Sequence, residues 1–208
     1  MEFSNMGCRI NICTYINLCT LLCIMKSTVI LTIFITIGYI IGQILSLEKS
    51  SLIYYLIQIN YLVLHGFYWQ LLTSIFITPN FFDWAFNTIA MYFIYWLYKG
   101  EAGKLEYIIF LISGIIGNIL SLYLYPPFVA SAGASGGIFG LFAYYTVTDY
   151  LKDKQLNQIA IILLISVFIL SDTLPLFDVD IWAHTGGILT GVLLSLLFFK
   201  INKTRGTV

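Results

Sequence analysis

The stretch that decides the fold is YIIFLISGIIGNILSLYLYPPFVASAGASGGIFGLFAYYTVT, Tyr107 to Thr148, which holds no charged residue and no histidine. An α-helix needs roughly 20 apolar residues to cross the hydrocarbon of a bilayer, so this run is about twice one crossing. Pro126-Pro127 divides it, because neither proline can continue a helix. Two spans follow, one on each side of the prolines.

Charge-free runs outside this stretch mark four more spans. They are Thr28 to Leu47, Trp84 to Tyr98 (starting a few residues earlier if Asp83 lies inside the bundle), Gln155 to Ser171 and Ile181 to Phe199. Asp172 and Pro175 close the fifth span and Lys200 closes the sixth. The whole chain agrees with this reading: of 208 residues, 60% are hydrophobic and 10% charged, with mean hydropathy +0.92. That composition is far from the soluble average. Only helices and closed barrels satisfy their backbone in lipid, so the expectation is an all-α membrane protein with six transmembrane helices. A formal net charge of +0 suggests no nucleic-acid partner.

Ser51 to Leu64 is apolar but short and contains Gln58 and Asn60, so it reads as a seventh span or an interfacial helix. If it does not cross, nine of the ten basic residues share one side and Lys49 stands alone on the other. If it crosses, everything downstream flips and the bias weakens. The positive-inside rule therefore favours six spans with both termini cytoplasmic and a multi-pass place in the cell membrane. The first external loop, Glu48 to Phe82, carries Tyr54, Tyr55, Tyr61, Tyr68 and Trp69. Such aromatics prefer the headgroup level, so the loop is expected to embed in the outer leaflet; ordinary interfacial anchoring explains them equally well.

Residues 1–25 form an N-terminal extension, a tail or the product of a start upstream of the true one at Met25. Residues 26–200 form the membrane domain and 201–208 a cytoplasmic tail. Cys8, Cys13, Cys19 and Cys23 all lie in the extension, without CxxC spacing or a nearby histidine, so no metal site is expected. The extension also lacks the form of a secretory signal.

Within this topology Gly133-Ala134-Ser135-Gly136-Gly137 opens span four and Trp182-Ala183-His184-Thr185-Gly186-Gly187 opens span six. Both spans run inward from the external side, which sets Ser135 and His184 at similar depth. An ionisable residue inside a span is costly and marks a functional site by default; His65, in the external loop, carries no such implication. Gly136 and Gly140, and Gly187 and Gly191, give each helix a small-residue face that lets backbones approach closely. Proton transfer between a serine and a histidine requires such an approach, although small-residue faces also serve routine helix packing. The Gly-x-Ser-x-Gly match to soluble hydrolases needs a preceding strand in an α/β sheet, which a helical membrane context lacks. Asn87, one turn after Asp83, could donate to an oxyanion together with the Ser135 N–H, or bond a neighbouring helix.

These residues resemble the rhomboid proteases, whose nucleophile stands in a Gly-x-Ser-Gly motif and whose histidine precedes a glycine-rich helix face. Trp69-Gln70-Leu71-Leu72-Thr73-Ser74-Ile75-Phe76, Phe86-Asn87, Ser113-Gly114 and Gly117-Asn118 extend the likeness over roughly Leu31 to Phe199. The resemblance implies a six-helix bundle with a Ser135–His184 dyad, oxyanion support from Asn87, and packing around the dyad by Gly133, Gly136, Gly140, Gly187 and Gly191. It implies transmembrane protein substrates cleaved near the external face, and no metal or organic cofactor. Three positions depart from the family pattern: Gln70 in place of an arginine, Thr78 in place of a histidine, and Asp83 where an oxyanion-stabilising histidine is usual. An ionised Asp83 opposes a developing oxyanion, a protonated one donates to it, and an outward-pointing one caps the second span. A catalytically silent rhomboid-like protein that binds transmembrane helices is the alternative these departures leave.

Overall fold

A computed structural model of the chain describes residues 26–155, 157–173 and 180–204, with the side chains of 170–173 outside that description. The four cysteines, Arg9, Arg205, Pro175 and Asp178 lie outside the described residues, as does the Asp172 side chain. The long helices are α1 (Ser27–Leu47), α5 (Phe81–Tyr98), α6 (Leu105–Leu124), α7 (Ser135–Asp153), α8 (Gln158–Thr173) and α9 (Ile181–Thr204). Three of them, α1, α6 and α9, are long and apolar enough to cross a membrane, with hydropathies of 2.1, 2.0 and 1.6.

The central helix, α7, has a different composition for a physical reason. Every residue from Gly136 to Thr146 is buried, and the helix packs most extensively against α9 and α6. A helix lined by protein on all sides needs no apolar outer face, so glycine, threonine and tyrosine replace leucine and isoleucine there. The outer helices show the opposite pattern: Phe34, Ile37 and Ile41 of α1, Ile162 and Ile165 of α8, and Leu189 and Leu193 of α9 are exposed. Such exposed apolar faces suit hydrocarbon rather than water.

Ser51 to Leu64 is not one helix. It forms α2 (Ile53–Leu56), a two-residue strand β1 (Gln58–Ile59) and α3 (Asn60–Leu64), followed by α4 (Gln70–Thr73). β1 pairs antiparallel with β2 (Ala130–Ser131), Gln58 opposite Ser131 and Ile59 opposite Ala130. The strand satisfies backbone groups that a helix broken at Ile57 would leave open. It also ties the first loop to the chain that leads into Ser135.

Polar side chains hold the two ends of the bundle. At the end remote from Ser135, the fully buried Glu106 of α6 accepts from Ser27 Oγ at 2.5 Å and Thr28 Oγ1 at 2.8 Å, and from the Tyr145 hydroxyl. Three helices thus meet on one carboxylate, whose burial is tolerable because donors surround it. At the other end Gln70, also fully buried, accepts from the Ile59 N–H at 3.0 Å and donates to the Tyr54 carbonyl at 2.8 Å. Gln70, one of the three departures, thus holds the loop with an amide that has both a donor and an acceptor.

Candidate active site

Ser135 is the first residue of α7 and His184 stands in the first turn of α9. Their side chains meet, with Ser135 Oγ 2.7 Å from His184 Nε2. With Nε2 unprotonated the hydroxyl donates and the imidazole accepts. Position N1 also leaves the Ser135 backbone N–H without an intrahelical acceptor, at the positive end of the helix dipole.

The approach depends on glycine. A Cβ at Gly187 would stand 2.1 Å from the Gly136 carbonyl oxygen, and one at Gly191 would stand 2.0 Å from that of Gly140. Neither distance is available to a real side chain, so α7 and α9 lie backbone against backbone beneath Ser135 and His184. Gly133 differs from that expectation. It precedes α7, with φ +139, and serves the turn into the helix rather than helix packing. Its N–H donates to the Ser74 carbonyl at 2.9 Å.

The His184 ring is buried, 2% exposed, and lies against Phe139 at 4.5 Å and Phe168 at 6.3 Å between centroids. Phe139 is one turn beyond Ser135 on α7, so the helix that carries the serine also restricts the imidazole.

Sequence reasoning missed Asp180 as a site residue. It is the N-cap of α9: Oδ1 accepts from the Ala183 N–H at 2.9 Å, a side-chain cap on the helix that carries His184. Oδ2 accepts from Ser131 Oγ at 2.6 Å and from Ser121 Oγ. One carboxylate thus joins α9, α6 and the β2 segment four residues before Ser135. The readable signal was an aspartate just ahead of a helix start, four residues before the histidine.

Ser135, His184, Asn87, Asp83 and Asp180 line one cavity of about 570 Å³. Asn87 is buried, and its Nδ2 donates to Asp83 Oδ1 at 2.9 Å. Asp83 is not the cap of its helix; Asn80 is, accepting from the Phe82 N–H at 2.8 Å. Asp83 turns inward because a carboxylate one turn before Asn87 meets the amide on the same helix face. Thr78 is buried in the segment before α5, and His65 lies exposed in the loop with Nδ1 2.7 Å from the Tyr61 carbonyl. No group of three or more His, Cys, Asp or Glu side chains suited to a metal occurs among the described residues.

A family model described as Rhomboid domain matches residues 65–201, which include Asn87, Ser135 and His184. The chain belongs to the rhomboid family. Among its rhomboid relatives is "Putative rhomboid protease YdcA" of Bacillus subtilis (strain 168), 27% identical over 146 residues, which are 69% of this chain and 73% of that protein. "Rhomboid protease GluP" of the same organism is 30% identical over 153 residues, 70% of this chain and 29% of GluP. "RHOMBOID-like protein 1" of Arabidopsis thaliana is 30% identical over 136 residues, 62% of this chain and 34% of that protein. This rhomboid chain therefore spans most of the first relative and about a third of the length of the other two.

Proposed function

We propose that this rhomboid is an intramembrane serine endopeptidase of the cell membrane, with six spans, both termini cytoplasmic, and transmembrane proteins as substrates. The observation that carries the reading is the 2.7 Å contact between Ser135 Oγ and His184 Nε2, a nucleophile and base within proton-transfer distance.

Ser135 Oγ attacks the scissile carbonyl as His184 Nε2 takes its proton, and the imidazolium then protonates the leaving amine. Water from the external side, deprotonated by the same nitrogen, hydrolyses the acyl-enzyme. The oxyanion is met by the Ser135 N–H and by the Asn87 amide, which lines the same cavity. Asn87 gives one N–H to Asp83 and retains a second for the oxyanion. No step calls on a metal or an organic cofactor.

A second reading, a silent rhomboid that binds transmembrane helices without cleaving them, is favoured by one observation: Asp83 brings a carboxyl to the amide proposed for the oxyanion. Reconstituting the protein with a labelled transmembrane substrate separates the two. Cleavage that disappears in Ser135→Ala and His184→Ala supports the protease, and undiminished cleavage in both variants removes the dyad. Binding with no turnover by the unsubstituted protein selects the silent reading.

A further inference from the structure

Asp83 occupies a position that the mechanism above does not use. Its Oδ1 accepts from Asn87. Its Oδ2 lies 2.8 Å from where a Gly133 Cβ would stand, so the carboxyl rests against the turn that leads into Ser135. No donor among the described residues bonds Oδ2. The other carboxylate of the cavity, Asp180, is in a different state, since three donors share its two oxygens. No lysine or arginine lines the cavity among the described residues.

A carboxylate oxygen in a confined, largely apolar space is costly unless a proton or a cation meets it. No lysine or arginine of the described residues meets it, and His184, which lines the same cavity, is engaged with Ser135 Oγ; what enters the cavity in the proposed function is a substrate segment. Substrate helices carry basic side chains near their ends, where long stems let the charge reach polar surroundings. An ammonium or guanidinium group held against Oδ2 would satisfy both partners at once, in a dielectric low enough for the pairing to discriminate.

We propose that Asp83 is a specificity-determining residue that accepts a basic substrate side chain beside the scissile bond, so that the cavity prefers transmembrane segments carrying lysine or arginine there. The proposal rests on the reading that this cavity receives transmembrane substrates, and it is separable from whether they are cut.

The test uses the full chain with Ser135→Ala in lipid nanodiscs, which removes turnover. It measures the affinity of a labelled transmembrane peptide in which each of the outermost residues of the span is in turn lysine or norleucine. The expected result is one position where lysine binds at least tenfold more tightly than norleucine. Adding Asp83→Asn, which keeps the shape and the contact with Asn87, brings the ratio to within twofold. Adding Asp180→Asn instead leaves the preference in place, because that carboxylate is already saturated. Equal affinity of all lysine and norleucine peptides overturns the proposal without any Asp83 variant, and so does a preference that survives Asp83→Asn. The protease reading fails on a different measurement, the lack of Ser135-dependent cleavage by the unsubstituted protein.

Discussion

Ser135 Oγ and His184 Nε2 stand 2.7 Å apart although 49 residues separate them in sequence. The contact joins the first residue of α7 to the first turn of α9. Replacing either residue is therefore expected to reduce kcat by roughly 10⁴-fold or more, with loss of the second residue adding little once the first is gone. Single-turnover cleavage in proteoliposomes measures this. Labelling of Ser135 by a fluorophosphonate should disappear in His184→Ala although the serine remains.

Gly187→Ala and Gly191→Ala each place a Cβ within about 2 Å of a carbonyl oxygen on α7. The helices must separate, at a cost of about 1–3 kcal/mol from overpacking. Thermal unfolding in detergent should show both variants destabilised to a similar degree. Fluorophosphonate labelling should fall further in Gly187→Ala, whose clash is with Gly136, next to Ser135.

Asp180→Ala removes an N-cap worth about 0.5–2 kcal/mol and strips Ser121 and Ser131 of their acceptor. Asp180→Asn retains a good cap. The alanine variant is expected to lose both stability and kcat, and the asparagine variant to recover most of the stability. Comparison of melting temperature with kcat in the two proteins separates capping from the link to the β2 segment.

Gln70→Ala frees the Ile59 N–H and the Tyr54 carbonyl together. Each buried bond contributes about 0.5–1.5 kcal/mol net, and each abandoned partner adds a penalty. The first loop should loosen, which hydrogen exchange at residues 54–59 would register as faster opening, with α7 and α9 unchanged.

Asp83→His restores a donor where a carboxyl now lies beside Asn87. On a substrate without basic residues near the cleavage site kcat should rise about tenfold or more, within the effect of one oxyanion donor. A fall in kcat with KM unchanged would show that the carboxyl itself assists the oxyanion.

Much of the architecture was legible because the bilayer imposes a length and an apolar composition on any helix that crosses it. The expected first span, Thr28 to Leu47, differs from α1 by one residue, and Pro126-Pro127 separates α6 from α7 as its backbone chemistry requires. Ser51 to Leu64 was ambiguous for the same reason in reverse: its apolar residues suit a short span, an interfacial helix or a folded loop alike. The break at Gln58 and Ile59 arises from a strand partner, Ala130–Ser131, some 70 residues away. Glu106 escaped notice because its three donors come from two other helices, and a charge at the edge of a span looks solvated until those helices are packed.

From the sequence alone followed the helical membrane class, the order of the long helices, and the expectation that one serine and one histidine meet across two glycine-faced helices. Those features depend on local composition and on periodicity, which need no partner to be read. Tertiary structure alone decided that Asp180 anchors the histidine helix, that Gln70 holds the loop, that Gly133 serves a turn, and that Asp83 faces the cavity instead of capping α5. Each of these is a matter of where a polar side chain finds its hydrogen-bond partner, and that is settled only when distant segments are brought within 3 Å of one another.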